Sequence, residues 1–315
     1  MVRLWGDRPS TPPFPLDQPG CRDAFLFGCL APDAGYFPGG DRLLSDLAHY
    51  LRPVELARNL IESAQTDAER ALASGWATHV MADAWIHPLI NQAAGEHVQG
   101  SREPGLPYAD DPATHVRVEV GLDAALPAGG RWPDPPAIGP APGPRAFAPL
   151  ARAYRQTYGF TPPCARLYRD HRMAIRLIPF LLLGGRIVGG QRGSRLARWA
   201  HGGLARITWA LRPGSLPAAF LHPLPSPDWL IEEVGMIVDV YAERFQPYLS
   251  VRLAGVPEYN LDTGDVEDDP PSYALSVATL EKLRRMSPLG GKASTDLDTR
   301  RRFTVEDVTD PQPIL

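Results

Sequence analysis

Lysine is nearly missing from this sequence. Of 32 positive side chains only Lys282 and Lys292 are lysines, and the remainder are arginines. That bias fits a GC-rich coding sequence and assigns no function by itself. Cysteine is scarce as well: Cys21, Cys29 and Cys164 are odd in number and lack metal-type spacing. They provide no disulfide framework, which points to a reducing cytoplasm. Long apolar runs are absent. "LIPFLLLGG", residues 177–185, is too short to span a bilayer and is flanked by Arg176 and Arg186. The first twenty residues contain no apolar signal-peptide run, so a cytoplasmic protein is expected. No GxSxG elbow occurs, and the glycine-rich "GGRIVGGQRGS" lacks the Lys-Ser/Thr of a phosphate loop. A net charge of −4 argues against a dedicated nucleic-acid binder, and none is predicted as a specific partner.

What is present is enough to build a large core: 315 residues, 44% of them hydrophobic. Apolar residues recur at helical spacing through "DLAHYLRPVELARNLIESA", interrupted near Pro53. Thr66 is an expected cap for a helix through "DAERALASGWATHVMADAWIHPLIN", with Pro88 near its end and Gly95 as its stop. A further helix is expected over 111–126, and another after Ser226, which would cap it with Pro227 in the first position. No convincing alternating strand occurs. The expected fold is all-α, a multi-helix domain over 21–286. It would follow an irregular arm over 1–20 and precede a disordered tail over 287–315. Residues 127–144, with seven prolines and four glycines, read as a loop.

Histidine is concentrated. His49, His79, His87, His97 and His115, five of the eight, fall within 67 residues. An even spread would put fewer than two there. His79, Asp83 and His87 stand four apart in succession, so on a helix they share a stripe. Neighbours on it are offset by about 6 Å along the axis, and His79 and His87 by about 12 Å, too far for one coordination shell. His115 and Glu119 repeat the four-residue spacing. Upstream, "APDAGYF" places Asp33 in a turn and "SDLAHY" places His49 on a helix. Nitrogen and oxygen ligands without thiolate suit catalytic zinc. One HxxxD pair alone is more often a surface or core pair. Two such pairs, a third helical histidine and the upstream Asp and His reverse that balance.

The order Asp … His … HxxxD … His … HxxxE resembles the zinc-dependent phospholipase C family, whose all-helical fold is shared with fungal single-strand nucleases. "LAPDAGYF", the Gly-Trp before His79 and "HVMADAWIHP" are similar to its bacterial phospholipase C/D-like branch. The resemblance covers roughly residues 21–125. It implies a first zinc held by Asp33, His49, His79 and Asp83, and a second held by His87, His115 and Glu119. It further implies that Asp33 activates the attacking water and that the substrate is a phosphoester. Secreted members bind a third zinc through an N-terminal Trp and a nearby His. This chain has Trp5 and no histidine before His49, so the third site is expected to be absent unless His97 replaces a ligand.

The expected function is hydrolysis of a phosphodiester or phosphomonoester at a two-zinc site. The alternatives are a metal-stabilised helical binding or structural protein without turnover, and a metallohydrolase acting on a nucleotide or specialised metabolite. Ten arginines against Asp170 between Arg166 and Arg212 read as a solvated face or as a contact for an anionic lipid surface. His97 is expected at the surface. His171, His201 and His222 are expected to be structural, and Trp76 and Trp85 to lie in the core.

Overall fold

The computed structural model describes residues 13–15, 17–108, 110–128, 139, 143–189 and 222–266. The tail over 287–315, most of the arm, most of the proline-rich loop, His201 and the arginines from Arg192 to Arg212 lie outside the described residues. The fold is all-α. Among the described residues the only bridge between extended segments is the isolated pair Tyr259 and Val266. The residues group into two units. One draws on positions within 1–84, 138–175 and 241–315, the other on positions within 85–137 and 176–240.

The first unit begins with α1 (Pro19–Leu30), a 3₁₀ helix (Ala31–Tyr36), α2 (Arg42–Tyr50) and α3 (Pro53–Ser63). Arg52, in the left-handed region at φ 55°, and Pro53 separate α2 from α3 where the interruption is expected. The Glu258 carboxylate accepts the Val54 and Glu55 N–H groups at the start of α3, at 2.9 and 2.8 Å. These are donors that a helix cannot satisfy internally. α4 (Asp67–Gln99) opens on a capping box: Thr66 Oγ1 accepts from Glu69 N, and Glu69 Oε2 accepts from Thr66 N.

The core of this unit is aromatic. Trp76, Tyr154, Tyr158, Phe27, Phe147 and Phe160 are almost wholly buried. Beyond α5 (Pro112–Ala128), which belongs to the second unit, a short 3₁₀ helix (Pro144–Phe147) leads into α6 (Ala148–Tyr158). From α6 the Tyr154 hydroxyl donates to Leu44 O, and the Tyr158 hydroxyl lies within hydrogen-bond distance of Leu47 O and Leu51 O. These bonds hold α2 in place. α7 (Cys164–Gly189) buries His171 against the Phe27 and Phe147 rings.

α1 and α4 approach until their backbones touch. A Cβ on Gly75 would collide with the Phe25 carbonyl, and one on Gly28 with the Leu72 carbonyl. Only glycine permits this crossing, and Trp76 fills the core beside it.

In the second unit the far half of α4 packs with α5 (Pro112–Ala128) and the start of α8 (Asp228–Ser250). Ile90, Ala93, Ala94, Val118, Leu122, Leu230 and Val234 form their shared core. Asp111 begins α5 as expected, its carboxylate accepting from Thr114 N and Oγ1. Two local expectations are corrected. α4 does not stop at Gly95 but runs to Gln99, and Gly100 at φ 74° ends it, its N–H bonding Glu96 O. Gly95 serves packing instead: a Cβ there would press on the carbonyls of Ser101 and Pro104. Ser226 does not cap α8. Its buried hydroxyl has no hydrogen-bond partner among the described residues, and the Pro227 carbonyl accepts from Leu230 N and Ile231 N instead.

Candidate metal centres

In the first unit, α2, α4 and the 3₁₀ helix bring Asp33, His49, His79 and Asp83 together. Asp33, His49 and His79 each offer a ligand atom within 4.8 Å of the others. Asp83 Oδ2 lies 2.9 Å from His79 Nε2 and 3.6 Å from His49 Nε2. Asp33 Oδ1 lies 3.1 Å from His49 Nε2.

The imidazoles are held by their other nitrogens. His49 Nδ1 is 2.7 Å from Ser45 O, one helical turn back, and His79 Nδ1 is 3.0 Å from Cys29 O at the end of α1. A carbonyl can only accept, so each Nδ1 carries a proton, and Nε2 is the ring nitrogen that a neutral imidazole offers inward. Those two Nε2 atoms face each other at 3.3 Å, beside two carboxylates. Two imidazole nitrogens and two carboxylate oxygens converging on one point suit a cation. Two nitrogens and two oxygens match a tetrahedral zinc set, so the residues fit the ion that the ligand pattern implies.

The close crossing at Gly28 and Gly75 is what delivers Cys29 O to His79, which stands one turn beyond Gly75. The turn bearing Asp33 is pinned separately. Ser45 Oγ accepts from Gly35 N at 2.9 Å and donates to Pro32 O. Ser45 thus holds the Asp33 turn with its hydroxyl and the His49 ring with its carbonyl.

In the second unit, His87, His115 and Glu119 form a separate cluster. Glu119 Oε1 is 3.3 Å from His87 Nε2 and 3.4 Å from His115 Nε2. His115 is 1% exposed, and its Nδ1 donates to Asn91 Oδ1 at 3.0 Å. Burial alone would raise the Glu119 pKa. The His115 and His87 imidazoles, by charge and hydrogen bonding, outweigh it and hold the carboxyl well below the usual range. An anionic oxygen against two imidazole nitrogens is a three-ligand set with room for further ligands, which also fits zinc.

The structure thus gathers all seven expected residues, four in one unit and three in the other. His97 joins neither cluster: it is exposed, with Nε2 3.1 Å from Pro225 O. His171 is buried and lies outside both clusters. Trp76 is buried, whereas Trp85 is only partly so. Of the arginine stretch, Arg166 Nε pairs with Asp170 at 3.0 Å and Arg169 Nε approaches it at 3.8 Å. Arg166 is therefore tied into the fold, whereas Arg169 stays 61% exposed. Ser45, Asn91 and the Cys29 carbonyl are not among the ligands that the sequence pattern marks. Ser45 stands four residues before His49 and Asn91 four after His87, so the spacing that flags the ligands flags these as well.

Residues 20–139 match the model of the family described as zinc dependent phospholipase C. The matched stretch contains all seven candidate ligands. No curated protein and no solved structure matches the chain significantly. Among the described residues no helix is long and apolar enough to cross a membrane.

Proposed function

We propose, on the premise that residues 20–139 belong to the zinc dependent phospholipase C family, that the protein hydrolyses a phosphoester with a water oriented at Asp33. One zinc is held by Asp33, His49, His79 and Asp83, the other by His87, His115 and Glu119. The observation that carries this reading is the inward-facing pair of Nε2 atoms of His49 and His79, each with its Nδ1 on a backbone carbonyl. A zinc ion bound in such a set acts as a Lewis acid and lowers the pKa of a bound water towards 7.

The protein's own groups supply the remainder. Asp33 is the most accessible member of its cluster, 39% exposed against 16% for Asp83. It is therefore the carboxylate placed to meet an entering water and accept its proton. His49 and His79, locked by Ser45 O and Cys29 O, keep the cluster's geometry without swinging. The substrate is a phosphodiester of phospholipid type, and the exposed Arg172 contributes to an anionic-surface contact. The free thiols of Cys21, Cys29 and Cys164 fit the reducing cytoplasm.

The experiment is turnover of a panel by the zinc-loaded protein: a chromogenic phosphodiester, a phosphomonoester, phospholipids and nucleotides. Hydrolysis of the diester, lost on chelation and regained with zinc, is expected. Preference for a nucleotide would move the substrate class. No turnover of any member by fully loaded protein would assign the metals to a structural or binding role.

A further inference from the structure

Three imidazoles of the two clusters have an identified anchor on Nδ1, and the anchors differ in kind. For His49 and His79 it is backbone, Ser45 O and Cys29 O. For His115 it is a side chain, Asn91 Oδ1 at 3.0 Å, buried at both ends. An amide is ambiguous in a way that a carbonyl is not: it can accept through Oδ1 or donate through Nδ2. If Nδ2 faced His115, the ring would carry its proton on Nε2, pointing at Glu119, and could not ligate through that atom. With Oδ1 facing it, the proton is on Nδ1 and Nε2 is open.

Asn91 is well fixed for this choice. It lies one helical turn beyond His87 on α4, so the helix that supplies one imidazole also anchors the other. The loop over 101–106 folds against it: Leu106 N donates to Asn91 O at 2.8 Å, and a Cβ on Gly105 would stand 3.2 Å from Asn91 Cβ. We propose that Asn91 is the positioning residue of the second cluster, selecting the Nδ1–H tautomer of His115 so that Nε2 is available to the ion. Asn91 touches neither metal nor substrate; it acts through His115. The proposal rests on the reading of His87, His115 and Glu119 as a zinc site.

The test compares Asn91→Leu, close in shape but without an acceptor, and Asn91→Asp, which restores one, by titrating metal-free full-length protein with zinc against a chromophoric chelator. Removing such a partner typically weakens metal binding about 10–100-fold. The expected result is that loss for one of two zinc equivalents in Asn91→Leu, with near-recovery in Asn91→Asp and the other equivalent unchanged in both. Wild-type affinity for both equivalents in Asn91→Leu overturns the proposal. A second measurement serves where Asn91→Leu fails to fold. In ¹⁵N-histidine-labelled metal-free wild type, at a pH alkaline enough to keep the ring neutral, His115 should be the Nδ1–H tautomer, and an Nε2–H ring overturns the proposal. If the wild type binds only one zinc, the two-zinc reading fails, while the tautomer still decides the role of Asn91.

Discussion

His49 and His79 turn their Nε2 atoms towards each other at 3.3 Å while their Nδ1 atoms rest on the carbonyls of Ser45 and Cys29. Without a cation, that pair faces Asp33 and Asp83 with no shared donor unless a ring takes up a proton. With the second cluster at His87, His115 and Glu119, elemental analysis of the purified protein should approach two zinc equivalents. Because the ligands come from separate helices, an ion bound only by the native state adds stability by mass action. Chelation is expected to lower the melting temperature by several degrees, and zinc to restore it. Superimposable melting curves with and without chelator would contradict this.

Asp33→Asn keeps the shape of the side chain and removes its charge and basicity. General-base catalysis contributes about 10²–10⁴-fold, so turnover of a chromogenic phosphodiester should fall within that range. The fold and the ion at His87, His115 and Glu119 should survive. A His97→Gln control should be nearly silent. An Asp33→Asn enzyme as active as wild type would remove Asp33 from the reaction.

Ser45→Ala leaves two buried backbone groups, Pro32 O and Gly35 N, without the hydroxyl that joins them. An unsatisfied buried polar group costs about 1–3 kcal/mol, so a loss of that order is expected in denaturant unfolding. Activity should fall further than stability explains, since the turn released is the one bearing Asp33. Unchanged unfolding would show that Ser45 does not hold the turn.

Gly75→Ala places a methyl on the Phe25 carbonyl and forces α1 away from α4. Overpacking costs about 1–3 kcal/mol, and the displaced Cys29 carbonyl should loosen His79. Lower stability together with weaker zinc binding is the expected pair. A stable variant with wild-type affinity would show that the crossing does not set the His79 ring.

His171 is wrapped by Phe27 and Phe147, and burial pushes its pKa down to about 3. The folded state resists a proton that the unfolded chain accepts near pH 6.5. Stability is therefore complete above about pH 6.5 and declines as pH falls towards 3, by about 1.4 kcal/mol per unit. His171→Phe should flatten that decline in urea midpoints measured from pH 7 to 4. An equally steep decline in the variant would place the acid sensitivity elsewhere.

The sequence by itself determined what repeats every 3.6 residues. The HxxxD and HxxxE pairs, the Thr66 cap and the break at Pro53 are local, because a helix sets the spacing of its own side chains whatever it packs against. The assignment of His79 and His87 to separate clusters follows from the same rise per residue. Local signals misled at two helix ends: Gly95 packs against the loop at 101–105 while α4 runs on to Gln99, and the Pro227 carbonyl, next to Ser226, takes the first bonds of α8 while the Ser226 hydroxyl caps nothing. Only the tertiary structure decided which way the rings face. The Cys29 carbonyl that orients His79 comes from 50 residues away, delivered by a contact between two glycines. The amide that orients His115 comes from another helix. Tautomer and rotamer depend on such long-range partners, and helical spacing carries no information about them.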